Sequence, residues 1–137
     1  MRTNIHASCV SLNRKGILLL GDSGSGKSDL ALRLIELCNA KLVADDRVDI
    51  VEQDNQVKAF CPKNIKGLLE VRGVGIVKYP HQEQTTVKLV VRLTDNLLER
   101  LPEKAFYTFG KNKLPLLQIN PFENSAPLKV LSALRLL

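Results

Sequence analysis

The stretch that most constrains this chain is Gly21-Asp22-Ser23-Gly24-Ser25-Gly26-Lys27-Ser28, a match to G-x-x-x-x-G-K-[ST]. In front of it, Gly16 to Leu20 (GILLL) is a short continuous apolar run, as a strand covered on both faces requires. Behind it, from Ser28 to Cys38, the period changes. Leu30, Ala31, Leu34, Ile35, Leu37 and Cys38 share one helical face, with Asp29, Arg33 and Glu36 on the other. Asp29 stands in the first turn, where the positive end of the helix dipole favours an acid, and four residues before Arg33. Strand, glycine loop and helix are the parts of an anion cradle: glycines let backbone N–H groups turn toward phosphate oxygens, and the helix adds its dipole end. Lys27 would reach the β- and γ-phosphates and the Ser28 hydroxyl would ligate Mg²⁺. All eight residues from Gly21 to Ser28 are therefore candidate nucleotide-binding residues, and the expected ligand is a nucleoside triphosphate. The loop alone does not separate a kinase from a nucleotide hydrolase or a switch.

Length and composition narrow the setting. At 137 residues, 45% hydrophobic and 25% charged, the chain reads as one folded domain spanning 1–137. The net charge is +6, from 20 Lys+Arg against 14 Asp+Glu, but the basic residues are scattered and the aromatics, four Phe and two Tyr, never interleave with them. Nucleic acid is not an expected partner. Cys9, Cys38 and Cys61 form no C-x-x-C pair, which argues against a disulfide framework or a zinc site and for a reducing, cytoplasmic setting. No apolar run approaches the ~18–20 residues of a membrane span, and no secretion signal opens the chain.

The rest of the pattern supplies the sheet. Leu42 to Val51 (LVADDRVDIV) reads as a buried strand, an acidic bend and an alternating strand; Gln56 to Cys61 follows after a polar turn and predicts a hairpin. Leu68 to Val77 (LLEVRGVGIV) reads as a strand interrupted by two glycines, and Val87 to Leu93 as another strand. Asn96 to Phe106 is expected to be helical, with Pro102 limiting its regularity, and Leu128 to Leu137 a closing helix with Lys129 and Arg135 toward solvent. That last apolar stripe can pack on its own domain or form an interface. The predicted fold is α/β, a P-loop kinase-like domain with a mixed β-sheet flanked by helices, because the region from Asp46 to Cys61 needs antiparallel pairing.

Two further constellations carry chemistry. Asp45 and Asp46 end a strand 17 and 18 residues after Ser28, which brings them to the sheet edge where the phosphates would lie. Neighbouring strand side chains point to opposite faces, so one of the two would face the γ-phosphate, and their mutual repulsion can raise one pKa toward that of a useful base. A solvated acidic turn is the plain alternative. Glu70 and Arg72, two apart, would project together, toward either a phosphate-metal cluster or a cross-strand salt bridge. Taken singly, His6 and His81 carry no more than a surface or core role.

Gly21 to Ser28, then LVADDRVDI (Leu42 to Ile50), then LLEVRGVGIV (Leu68 to Val77), in that order over about the first 80 residues, resemble the catalytic domain of the bacterial HPr kinase/phosphorylase family. The resemblance implies an ATP- and Mg²⁺-dependent serine/threonine-protein kinase that phosphorylates a serine of an HPr-like phosphocarrier of a phosphotransferase system. It implies catalytic roles for Asp46, the second acid of the pair and the general base, and for Lys27, His6 and Arg72, and Mg²⁺ ligation by Ser28 and Glu70. His6 precedes Gly21 by fifteen residues, as the family's active-site histidine does. Pyrophosphate is an alternative donor in the family, and many members also remove the phosphate by phosphorolysis.

The match thins toward the end. Where the family has a Gly-Arg pair linked to dephosphorylation, Leu131 and Ser132 follow Pro127-Leu128-Lys129-Val130, so phosphorolysis is not expected. The sequence resembles the short single-domain forms, which lack the N-terminal domain and the C-terminal docking helix of longer members and pair with regulatory phosphotransferase systems. A homo-oligomer is compatible with it. Arg100 reads either as a relocated phosphate-binding arginine or as an exposed helical one. Two other functions stay open at this point: an ATP-binding regulatory module that transfers nothing, and a small-molecule kinase.

Overall fold

The structure is a computed structural model and describes residues 2–96 and 98–137. In chain order its elements are β1 (Arg2–His6), β2 (Ser8–Leu12), β3 (Lys15–Leu20), α1 (Lys27–Cys38), β4 (Lys41–Ala44), β5 (Arg47–Gln53), β6 (Gln56–Phe60), β7 (Leu68–Val71), β8 (Gly75–Lys78), β9 (Gln84–Leu93), β10 (Ala105–Phe109), β11 (Asn112–Ile119) and α2 (Ala126–Arg135). The described residues form a nine-stranded sheet in the order β1-β5-β6-β9-β3-β2-β4, with β11 and β10 branching from β9, and a separate two-stranded β7–β8 sheet. The main sheet is mixed, as expected: β3 and β11 run parallel to β9, and its other pairings are antiparallel.

Strand β9 holds this arrangement together because it is long enough to take three partners. Residues 84–86 pair with β6, 90–93 pair with β11, and β3 lies along residues 87–92. Along β3 the side chains alternate between two cores. Ile17 and Leu19 face the core under α1 and α2, while Leu18 faces a second core with Cys9, Val43, Val48, Val57 and Val90. Val87 and Leu89 fall into different cores although they are two apart, because the β3–β9 register slips between Gly16 and Ile17, as a bulge requires.

The β5–β6 hairpin closes with Asp54 and Asn55, both at positive φ, the two-residue turn whose twist matches its strands. Helix α1 buries Leu30, Ala31, Leu34 and Ile35 in the first core, and α2 packs beside it through Ala126, Val130 and Leu134. The helices share that core, so they cover one face of the sheet rather than flanking both, and the second core is enclosed by strands of the curled sheet. No described helix is long and apolar enough to cross a membrane.

Three expectations fail here for local reasons. Leu37 falls on the apolar face by spacing but is 71% exposed, since the chain turns back at Asn39, in left-handed conformation, toward β4. Leu68 to Val77 is a hairpin, not one strand: Gly73 and Gly75 take positive φ and Val74 N–H bonds the Val71 carbonyl at 2.9 Å, which turns the chain between β7 and β8. The helix expected over 96–106 is not found in its described residues, and Leu97 lies outside them. Ala105 and Phe106 instead begin β10, where pairing with β11 wins over a helical pattern already broken by Pro102.

Leu34 is fully buried between α1 and the sheet. Leu34→Ala is expected to cost about 2–5 kcal/mol, from lost transfer energy and the cavity left behind, measured by urea denaturation.

Candidate functional site

The glycine loop leaves β3 at Leu20 and enters α1 at Lys27. Gly26 caps the helix at φ 100 with no side chain bonding the first turn, so the opening N–H groups of α1 are left for an anion. Any larger residue there would be strained and would press on Pro121, whose ring carbon lies 3.3 Å from the position of a β-carbon. Lys27 is buried, and its Nζ donates to the Gly21 carbonyl at 2.7 Å and the Asp22 carbonyl at 3.0 Å. Burial pushes the lysine pKa down, while Asp46, Asp22 and Asp45 pull it back up. Ser25 tucks its hydroxyl beside Gly21, in the space a side chain there would fill.

The acidic bend separates its two carboxylates completely. Asp45 is buried, and its Oδ1 accepts from the Ser8 hydroxyl at 2.8 Å and from the Ser28 hydroxyl at 2.7 Å. Its Oδ2 accepts from the Glu70 backbone N–H at 3.3 Å. Asp46 turns the other way. At φ 69, with Arg47 N–H bonding the Asp45 carbonyl at 2.8 Å, it is the centre of a γ-turn, a strained three-residue reversal. Ala7 N–H anchors the Asp46 carbonyl at 3.2 Å. The Asp46 carboxylate, 72% exposed, lies 3.0 Å from His6 Nε2.

The β7–β8 hairpin supplies the opposite wall. Glu70 at the end of β7 and Arg72 in the turn beyond it reach the same cleft, though not as neighbours on one strand face. The cleft, of about 530 Å³, brings together His6, Lys27, Ser28, Asp46, Glu70 and Arg72. Of the loop, Ser23, Gly24 and Gly26 also line it, whereas Gly21 and Asp22 act from behind through the carbonyls that hold Lys27. Arg100 is exposed and does not line the cleft.

Ser8, Asp29, Leu32, Val71 and Phe122 line the cleft without having been singled out from the sequence as site residues. Ser8, two residues after His6, is one of two serines, with Ser11, in a fully buried strand, and that polar pair is its only sequence signal. Phe122 carried none beyond an adjoining proline. The Asp-Asp pair was visible, but which acid faces which partner depends on the γ-turn, and that turn has no local signature.

The donors suit a hard cation. Ser28 gives its proton to Asp45, leaving its oxygen lone pairs available, and Glu70 offers a carboxylate across the cleft. Among the described residues no three His, Cys, Asp or Glu side chains cluster tightly enough to hold a metal unaided. Mg²⁺ takes one or two protein oxygens and completes its shell with phosphates and water, so Ser28 and Glu70 are donors of the kind it uses.

The family model described as "HPr Serine kinase C-terminal domain" matches residues 1–119. The HPr kinase/phosphorylase of Lacticaseibacillus casei (strain BL23) is 36% identical over 120 residues, covering 82% of this chain and 36% of the relative. That of Lactobacillus johnsonii (strain CNCM I-12250 / La1 / NCC 533) is 31% identical over an aligned 140 residues, 94% of this chain and 42% of the relative. The chain thus spans well under half the length of these curated relatives. Among solved structures, the Hpr(Ser) kinase/phosphatase from Coxiella burnetii superposes with a TM-score of 0.84 at 25% identity, covering 97% of this chain and 94% of that one.

Removing the Asp45 carboxylate orphans the Ser8 and Ser28 hydroxyls and the Glu70 N–H together. Asp45→Ala is expected to lower stability by about 1–3 kcal/mol in thermal unfolding, more than the same change at exposed Asp46.

Proposed function

We propose, since this chain belongs to the HPr Serine kinase C-terminal domain family, that it is an ATP-dependent protein serine kinase acting on an HPr-type phosphocarrier of a phosphotransferase system, in the cytoplasm. The observation that carries the reading is the splitting of the acidic pair: Asp45 is consumed by internal hydrogen bonds, and Asp46 presents a free carboxylate edge to the cleft that contains Lys27.

The roles follow from phosphoryl transfer, which is mostly positioning and charge neutralisation. Loop N–H groups and Lys27 grip the β- and γ-phosphates, for which Lys27 exchanges its contacts to the Gly21 and Asp22 carbonyls. Ser28 and Glu70 would hold Mg²⁺, which would supply positive charge against that of the phosphates. Asp46 accepts the proton of the acceptor serine as its oxygen bonds to the γ-phosphorus and the bond to the β-phosphate oxygen breaks, releasing ADP. His6, within hydrogen-bond distance of Asp46, fixes the orientation of that carboxylate. Arg72 adds positive charge where the transferring group becomes most anionic. The proposal covers forward transfer.

Incubation with labelled ATP, Mg²⁺ and an HPr-type protein is expected to label one serine. Asp46→Asn should lower that rate by about 10²–10⁴-fold while ATP binding persists. ATP-dependent capture of the phosphocarrier with no phosphoprotein formed would make the chain a binding module instead.

A further inference from the structure

Phe122 is an unusual residue to find on the rim of a phosphate cleft. It is 67% exposed, yet the turn that carries it is fastened from several sides. Pro121 is buried against Gly26, and Phe122 N–H bonds Asn120 Oδ1 at 2.9 Å. The Arg33 guanidinium donates to the carbonyl of Pro121 and, at 3.1 Å, to that of Glu123. Arg33 is itself paired with Asp29, the residue after Ser28, at 3.1 Å. The turn is therefore tied to the first turns of α1, and it sets a phenyl ring edge 3.4 Å from the place a Gly26 β-carbon would occupy.

Exposing a large ring while fixing the backbone beneath it loses the gain of burial and also gives up freedom; the packing of Pro121 and the contacts of Arg33 account for the turn but not for an aromatic ring at its tip. A planar apolar ligand would. With Lys27 and Asp46 assigned to the distal phosphate, Phe122, which lines the same cleft beside Gly26, is an aromatic ring left to meet the nucleoside end. Every nucleobase has a π-face, and an exposed aromatic ring binds one by stacking.

We infer that Phe122 is the nucleobase platform of this cleft, the ring on which the base of the bound nucleoside triphosphate stacks. This rests on the nucleotide reading above, and the experiment separates the two. Calorimetric titration compares Mg·ATP with inorganic tripolyphosphate, which has the phosphates and no base, on the unmodified protein, Phe122→Ala, Phe122→Trp and Lys27→Ala. The unmodified protein is expected to bind ATP more tightly than tripolyphosphate. Phe122→Ala should weaken ATP binding about tenfold with tripolyphosphate unchanged, and Phe122→Trp should restore it. Lys27→Ala should weaken both.

Equal affinity of the unmodified protein for the two ligands overturns the platform and leaves the loop reading intact, while binding of neither overturns both. Phe122→Ala weakening both ligands alike, or weakening neither, also overturns it. Loss only in the KM for the phosphocarrier would assign Phe122 to protein docking instead.

Discussion

The buried carboxylate of Asp45 is the fastening on which the rest of the cleft depends. It joins β2 through Ser8, the head of α1 through Ser28, and the β7–β8 hairpin through the Glu70 amide. Three segments far apart in sequence thereby acquire a common origin, set by hydrogen bonds to an ionised group, which are shorter and stronger than neutral ones. A carboxylate has room for about four such donors, and this one uses three. The carboxylate of the second acid takes no part in that fastening and stands exposed beside His6.

The two sides of the cleft are built differently. The loop extends the central strand β3, and the acidic bend joins β4, at one end of the strand order, to β5; the buried residues of these strands belong to the two cores. The β7–β8 hairpin belongs to a sheet of its own, attached by Leu69, Val71 and Tyr79, which pack on the core under α1, and by the Asp45 contact. Lys27 and Ser28 thus stand at the head of the helix that follows the main sheet's β3, and Glu70 and Arg72 on a hairpin outside that sheet.

Much of the first half was legible in the sequence because its signals are local. The loop motif, the 3.6 period of α1, the alternation of β5 and the Asp54-Asn55 turn each rest on residues close in the chain. Strands β10 and β11 were not, since Phe106 and Leu114 do not alternate with clear polar partners, and β11 is specified by the edge of β9 it joins. The apolar run of 68–77 misled because its two glycines mark a reversal rather than a bulge. Of the residues that line the cleft, the loop motif pointed to Lys27 and Ser28 and the spacing to Glu70 and Arg72, while the resemblance chose Asp46 from its pair and brought in His6. Phe122 was beyond reach, because its place depends on Arg33 reaching across from another element to two backbone carbonyls.

The left-handed backbone at Asp46 sets evolution a conflict at one codon. An aspartate tolerates that conformation better than most residues but still carries about 1–3 kcal/mol of strain, which glycine would relieve. A lineage drifting toward thermal robustness would therefore be drawn to glycine at this position, and would lose with the carboxylate the acid that faces the cleft beside His6. Backbone ease and the carboxylate cannot both be had there, so a gain in heat tolerance that keeps the acid has to come from elsewhere in the chain.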